Sequence, residues 1–235
     1  MTLTFAIADL HGRADLLDAA LASIETRAAS GTVVFLGDYV DRGPNSREII
    51  SRLLAGPQGP WKWLCLRGNH EELMFRGLTP SHVRFIEHGL WMANGGDATL
   101  GSYGGDWQSV PNAHIEWLKK LPLMHIDMHR VYVHAAVDPT RALHRQTEST
   151  VLWDLYSDSD EGGHGDFHVV HGHHQFVDGP LLKKCRTNLD TFAWASGRLV
   201  VGVFDDDLPG GPVELIEVIG NPTLADNGAT ELPTE

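Results

Sequence analysis

Cysteine is almost missing from this chain: two thiols, Cys65 and Cys185, in 235 residues. That supply cannot staple a disulfide-rich scaffold. It reads as a pair of free thiols in a reducing compartment, so the expected location is the cytoplasm. Long apolar runs are also lacking. No stretch reaches the roughly 18 apolar residues that a membrane span needs, and the N-terminal "MTLTFAIADLHG" has neither a basic leader nor a small-residue cleavage site. Positive charge is scarce, with 18 Lys and Arg against 31 Asp and Glu and a net charge of −13. A chain so acidic offers no basic face to a nucleic-acid duplex. Small phosphorylated substrates stay open to it, because bound cations can invert the local field.

What remains is ordinary for a globular protein, with 42% hydrophobic and 21% charged residues. The length suits one large domain, residues 1–220, followed by a loose tail at 221–235 that has little apolar content. Short apolar runs alternate with helical patterns. "LTFAIA" is a strand, and Leu16, Leu17, Ala20, Leu21 and Ile24 then recur at helical spacing up to a stop at Gly31. "TVVFLG" and "WKWLCLRG" are two further strands, each followed by a helical segment. The order β, α, β, α, β, α implies a parallel sheet with helices on its faces. From about residue 72 to 121 the pattern is helical, broken at Gly95-Gly96, and reads as an insertion over the site. The second half turns to strands: one ending at His134, one at His173, then "GPLLKKC", "TFAWASGRLVVGVF" and "PVELIEVIG", with Ser196-Gly197 as a hairpin turn.

In parallel sheets ligands sit at the C-terminal ends of the strands. The polar clusters of this chain fall there: Asp9 with His11, Asp38 with Asp41 and Arg42, and Arg67 with Asn69, His70 and Glu71. His134 and His173 add imidazoles at two later strand ends. Taken one at a time, Asp38 and Asp41 could cap a following helix, Asn69 could do the same, and His134 could be a satisfied core histidine. Together, Asp9, His11, Asp38, Asn69, His134 and His173 make a carboxylate, imidazole and amide set suited to divalent transition metals. Six ligands are too many for one catalytic ion with open positions and suitable for two, which would clamp a phosphoryl group for in-line attack.

The blocks "DLHG", "GDYVDRG", "RGNHE", "HA" and "GH" occur in order, and with them the chain resembles the phosphoprotein phosphatases among the metallophosphoesterases. It is most similar to the small bacterial and phage serine/threonine phosphatase branch, to which "NGGDATLGSYG" and "NLDT" also belong. The resemblance implies an α/β metallophosphatase sandwich of two mixed sheets flanked by helices, with a dinuclear site at the strand ends. It implies that Asp9 and His11 hold the first metal, that Asp38 bridges both, and that Asn69, His134 and His173 hold the second. Manganese is the first expectation, and Fe, Zn, Ni or Co also suit the ligands. It implies direct attack by a metal-bridging hydroxide, His70 as general acid supported by Asp41, and Arg42 and Arg67 as phosphate-binding forks. In "HVVHGHH" the Gly-His pattern selects His173, with His174 its neighbouring rival. One departure stands out: Leu155 occupies a position where relatives usually carry a phosphate-reaching Arg, and Arg141 or Arg145 could replace it only if the loop folds back.

The expected activity is therefore hydrolysis of phosphomonoesters on serine or threonine, with a phosphoprotein or small phosphorylated molecule as partner. The alternative is hydrolysis of the phosphoanhydrides of dinucleoside polyphosphates. A non-catalytic metal-binding module would have no use for Asp41, Arg42, Arg67 and His70. Nothing in the sequence sets the oligomeric state.

Overall fold

The computed structural model describes residues 2–79, 83–157 and 159–223. Residues 224–235, most of the expected tail, lie outside the described residues. Two five-stranded sheets face each other. The first has the order β10-β9-β1-β2-β3 and comprises β1 (Leu3–Ile7), β2 (Gly31–Phe35), β3 (Trp61–Cys65), β9 (Arg198–Asp205) and β10 (Glu214–Ile219). Its β1, β2 and β3 run parallel, while β9 and β10 are antiparallel additions. The second has the order β4-β5-β6-β8-β7, from β4 (Met124–Ile126), β5 (Arg130–Val133), β6 (His168–His171), β7 (Leu181–Leu182) and β8 (Arg186–Asn188). There β5, β6 and β8 are parallel and the edge strands antiparallel.

Alternation along each strand builds the layers, because successive side chains face opposite ways. Ala6, Ala8, Val34, Leu36, Tyr132, Val170 and Phe204 point into the space between the sheets. Phe5, Ile7, Val33, Phe35, Val201 and Val203 point outward beneath the helices. These helices are α1 (Ala14–Arg27), α2 (Ser46–Ala55) and α3 (Asn69–Leu78). Helix α1 buries Leu16, Leu17, Ala20, Leu21 and Ile24, each worth about 1.5–3 kcal/mol of transfer free energy when fully covered. It ends at Arg27, and Gly31 already belongs to β2. Past α3 run α4 (Arg84–Trp91), a kinked turn at Met92–Gly96, α5 (Asp97–Ser102) and α6 (Asn112–Lys120). The kink falls at Gly95, whose φ of 93° suits glycine. On the other side, α7 (Glu148–Trp153) covers the second sheet through Val151 and Leu152.

Two expectations are corrected. "TFAWASG" is not a strand with a hairpin at Ser196-Gly197. Residues Ala193–Ser196 form a single helical turn, α8, closed by Gly197 at φ 72°, and β9 starts after it. Alternating apolar residues cannot tell a buried helical turn from a strand over so few positions. The hairpin lies one element later, between β9 and β10. "GPLLKKC" yields a strand of two residues, and "RTN", which has no strand pattern, pairs between β6 and β7 as β8.

Candidate active site

The loops after β1, β2 and β3 meet backbone to backbone. Leu10 and His11 donate their N–H groups to the Asp38 carbonyl at 2.9 and 2.8 Å, and Gly12 donates to Tyr39 at 2.9 Å. Any Cβ on Gly12 would collide with the Gly43 backbone, and any on Gly68 with the Asp38 carboxylate, so these glycines set how closely the loops approach. The Glu71 carboxylate lies buried beneath them. It accepts N–H bonds from Asp38 at 2.8 Å, Tyr39 at 2.7 Å and Gly68 at 2.8 Å, locking the second loop to the third. Burial and the nearby Asp38 carboxylate push Glu71 up to about 8, against the pull of those three bonds.

This close fit strains the backbone. Positive φ occurs among the described non-glycine residues at His11 (40°), Asp38 (55°), Asp41 (72°), Arg42 (67°), His173 (64°) and Phe192 (60°). Such conformations cost about 1–3 kcal/mol each and persist where the surroundings over-determine them. The first five are residues singled out from the sequence, and Phe192 lines the same cleft.

The donor set fits a pair of cations. His11 Nδ1 bonds the Val40 carbonyl at 2.8 Å and His134 Nδ1 the Leu36 carbonyl at 3.0 Å, which turns both Nε2 atoms toward Asp38, at 3.5 and 3.4 Å from its carboxylate. Two groups have metal-ligand spacing, His11 with Asp38 and His70, and Asp38 with His134 and His173, so Asp38 is common to both. Asn69 Oδ1 sits 2.9 Å from His134 Nε2, and His134 Nε2 lies 3.4 Å from Asp38 Oδ1. Turned over, the amide would donate to both partners; as placed, three acceptors converge, an arrangement a cation favours. Asp9 turns its carboxylate to the His173 backbone N–H at 3.1 Å. Burial raises its pKa, and the Asp190 and Asp38 carboxylates raise it further. Three buried carboxylates so close together call for compensating positive charge.

The histidines divide into two kinds. Burial pushes His173 down to about 3 and also lowers His11 and His134, keeping these rings neutral, as ligands must be. His70 goes the other way. Burial opposes its charge, but the Asp38 and Asp41 carboxylates outweigh burial and raise it. Its Nδ1 meets Asp41 Oδ2 at 2.7 Å, while Asp41 Oδ1 accepts from Trp91 Nε1 at 2.8 Å and Thr99 Oγ1 at 2.7 Å. Burial raises Asp41 as well, against the pull of its bonds to His70, Thr99 and Trp91. Asp41 caps no helix: α2 starts after Asn45 without a side-chain cap. The helical segment from 84 to 102 thus supplies the groups that hold Asp41 against His70.

A cleft of about 530 Å³ opens over these residues, and Asp9, His11, Asp38, Arg42, Asn69, His70 and His173 line it. Arg42 reaches His11 Nε2 at 3.3 Å and His70 Nε2 at 3.2 Å. The lining also has apolar members, Trp153, Leu155, Val177, Phe192 and Trp194, with the Trp194 ring 5.6 Å from the Arg42 guanidinium. Arg67 stands apart from this group. Its guanidinium is held by Glu72 at 2.8 Å and Glu148 at 3.5 Å and does not line the cleft. Arg141 is engaged by Asp138 at 3.1 Å. His174 lines the cleft beside His173 but has no place in either metal-spaced group.

The sequence assigned no site role to Glu71, Thr99, Asp190, Trp153 or Trp194, and none to Trp91 in orienting His70. Glu71, Thr99 and Asp190 lie inside "RGNHE", "NGGDAT" and "NLDT", and that was the available signal. Trp91, Tyr103, Trp107 and Trp117 are expected from the sequence to pack the helical insertion rather than to line a base-binding cleft, and Trp91 and Tyr103 are buried in the core, Trp117 packs against it, and none of the four lines the cleft.

The calcineurin-like phosphoesterase model matches residues 3–200. The chain belongs to the calcineurin-like phosphoesterase family. That family comprises metal-dependent phosphoric ester hydrolases, and both the two-sheet fold and the donor set accord with it. The chain is 30% identical over 91 residues to serine/threonine-protein phosphatase 2 of Escherichia coli (strain K12), covering 39% of this chain and 37% of that protein. It is 24% identical over 213 residues to the asymmetrical bis(5'-nucleosyl)-tetraphosphatase PrpE of Oceanobacillus iheyensis, covering 79% and 82%. The match spans 37%, 51% and 44% of the length of the first three curated relatives. A solved serine/threonine phosphatase from Saccharomyces cerevisiae shares the fold, with a TM-score of 0.60, 15% identity and coverage of 95% and 82%. Among the described residues, no helix is long and apolar enough to cross a membrane.

Proposed function

We propose that this calcineurin-like phosphoesterase is a two-metal hydrolase of phosphoanhydride bonds in dinucleoside polyphosphates. The observation that carries this reading is the composition of the cleft. One guanidinium, Arg42, lines the cleft, Arg67 is engaged by Glu72 and Glu148, and the aromatic and apolar side chains of Trp153, Leu155, Val177, Phe192 and Trp194 share the lining. A cleft built for the phosphate of a phosphoprotein gains most from planar forks that grip its oxygens. A cleft with an aromatic wall gains most from a planar base, worth about 1–3 kcal/mol when stacked. The relative with the more complete coverage is a bis(5'-nucleosyl)-tetraphosphatase, which supports the same substrate class.

Divalent ions held by Asp9, His11, Asp38, Asn69, His134 and His173 supply Lewis-acid polarisation of the phosphoryl group and activation of water. Manganese is the first ion to test. The chain's own groups do the rest. Arg42, which donates to His70 Nε2 in this structure, turns to the phosphate when substrate binds; Nε2 is then free to carry the proton that His70 delivers to the departing oxygen, while Asp41 accepts from Nδ1. The free thiols of Cys65 and Cys185 support a cytoplasmic setting.

A second reading, a phosphomonoester hydrolase of phosphoserine or phosphothreonine, uses the same machinery. The exposed rim favours it: Leu155 and Val177 are 60% and 49% exposed and offer an edge for the chain flanking a phosphorylated residue. One assay separates the two. The protein is stripped with chelator, restored with Mn²⁺, and given diadenosine tetraphosphate and a phosphoserine peptide in parallel. Faster turnover of the dinucleotide is expected. Faster turnover of the peptide overturns the first reading in favour of the second.

A further inference from the structure

Arg13 is not among the site residues, yet it is 5% exposed and stands two positions after His11. Its guanidinium is shared between a near neighbour and two distant segments. It pairs with both Asp15 oxygens at 2.8 Å at the start of α1. It donates to the carbonyls of Ala193 and Trp194, both at 3.2 Å, on the aromatic wall. It also donates to the Asn221 carbonyl at 2.9 Å and to Thr223 Oγ1 at 3.3 Å. The last segment adds its own ties to the wall. Thr223 donates its N–H to Ala195 at 3.1 Å and its hydroxyl to the Trp194 carbonyl, and Gly220 donates to Gly197 at 2.7 Å.

These bonds converge on the residue that gives the cleft its aromatic face. Trp194 lines the cleft, and its ring lies 5.6 Å from the Arg42 guanidinium. Its indole N–H is shielded and has no acceptor among the described residues. Neither Arg13 nor residues 220–223 touch His70 or Asp41 through any of these bonds.

We propose that Arg13 and the segment Gly220–Thr223 form a positioning clamp on Trp194 that sets affinity for the planar aromatic half of the substrate. This rests on the nucleotide reading above. The clamp acts on binding and leaves bond cleavage to the metal ligands and His70. It also makes the last described residues of the chain part of substrate selection, although the catalytic motifs end far upstream.

The test uses Mn²⁺-reconstituted enzyme, Arg13→Met, Arg13→Lys and a chain ended at Gly220. For Arg13→Met and for the shortened chain, KM for diadenosine tetraphosphate rises about tenfold, the scale of one lost stacking contact. Their kcat, metal content and Ki for inorganic tripolyphosphate, which has the anhydride but no base, stay within about twofold. Arg13→Lys falls between Arg13→Met and wild type. A parallel rise of KM and Ki, or loss of metal, overturns the proposal and makes Arg13 a support of the metal-ligand loop. An unchanged KM overturns it as well. If Arg13→Met does not fold, the shortened chain carries the same criteria. If wild-type enzyme is silent on the dinucleotide, the nucleotide reading falls, and the clamp is judged by the same split between 1-naphthyl phosphate and tripolyphosphate.

Discussion

Replacing Asp41 by Asn isolates the support of the general acid from the rest of the site. The Asp41 carboxylate is fully buried, with His70 Nδ1 at 2.7 Å on one oxygen and Trp91 and Thr99 donating to the other. An Asn amide keeps its oxygen for Trp91 and Thr99, so packing is preserved. Its NH₂ then faces His70 Nδ1 and donates to it, where the carboxylate accepted. The imidazolium loses a hydrogen bond to a charged partner, worth roughly 1.5–3 kcal/mol. At about 1.4 kcal/mol per tenfold, kcat should fall about ten- to hundredfold wherever protonation of the leaving oxygen limits the rate. The assay compares phenyl phosphate, whose phenolate is the poorer leaving group, with p-nitrophenyl phosphate at saturating Mn²⁺. Phenyl phosphate should suffer the full loss and p-nitrophenyl phosphate at most about threefold, because a good leaving group needs little protonation. Equal losses on both substrates with metal content intact would refute the assignment, as would no loss on either.

Asp38→Asn should deplete both ions at once, since the Asp38 carboxylate belongs to both metal-spaced groups; a variant with full metal content and wild-type rate sinks the bridging role. Gly172→Ala places a methyl group against Asp9 Oδ1 and within 3.0 Å of the Ala8 Cβ. Its apparent Mn²⁺ affinity should fall about ten- to hundredfold, the usual cost of disturbing groups around a metal, and an unaltered Mn²⁺ titration would count against Asp9 as a ligand. Burial, with Arg130 adding, pushes His168 down to about 4 from its ordinary value of 6.5. The unfolded chain therefore binds that proton more readily, and stability is full above pH 6.5 and lost as pH falls through about 4, by roughly 2 kcal/mol. Urea midpoints at pH 7 and pH 4.5 should separate less in His168→Gln than in wild type; equal separations would refute this.

Much of the site was legible because its residues are local to strand ends. The turn from Gly37 to Gly43 carries Asp38, Asp41 and Arg42 within a few residues, and a buried parallel strand must release its chain at that edge. The same motif logic could not say which way Arg67 leans. Its partners Glu72 and Glu148 are five and 81 positions away, and the contact with Glu148 exists only once α7 packs near α3. Single strands too short to show a period were missed for a related reason. β8 is three buried residues, Arg186, Thr187 and Asn188, whose strand state is imposed by pairing with β6 and β7.

By itself, the sequence determined the chemistry on offer: carboxylates, imidazoles and an amide at consecutive strand ends, and the alternation that turns those ends to one edge of a sheet. Such features depend on spacing within a few residues, which chain geometry fixes before any packing occurs. The tertiary structure decided what that chemistry meets. Trp153 and Trp194 come to line one cleft, Trp91 and Thr99 hold the Asp41 carboxylate that meets His70, and Arg13 reaches Thr223 across 210 positions. These pairs carry no mutual signal along the chain, because only the closure of two sheets and their helices brings their atoms within reach.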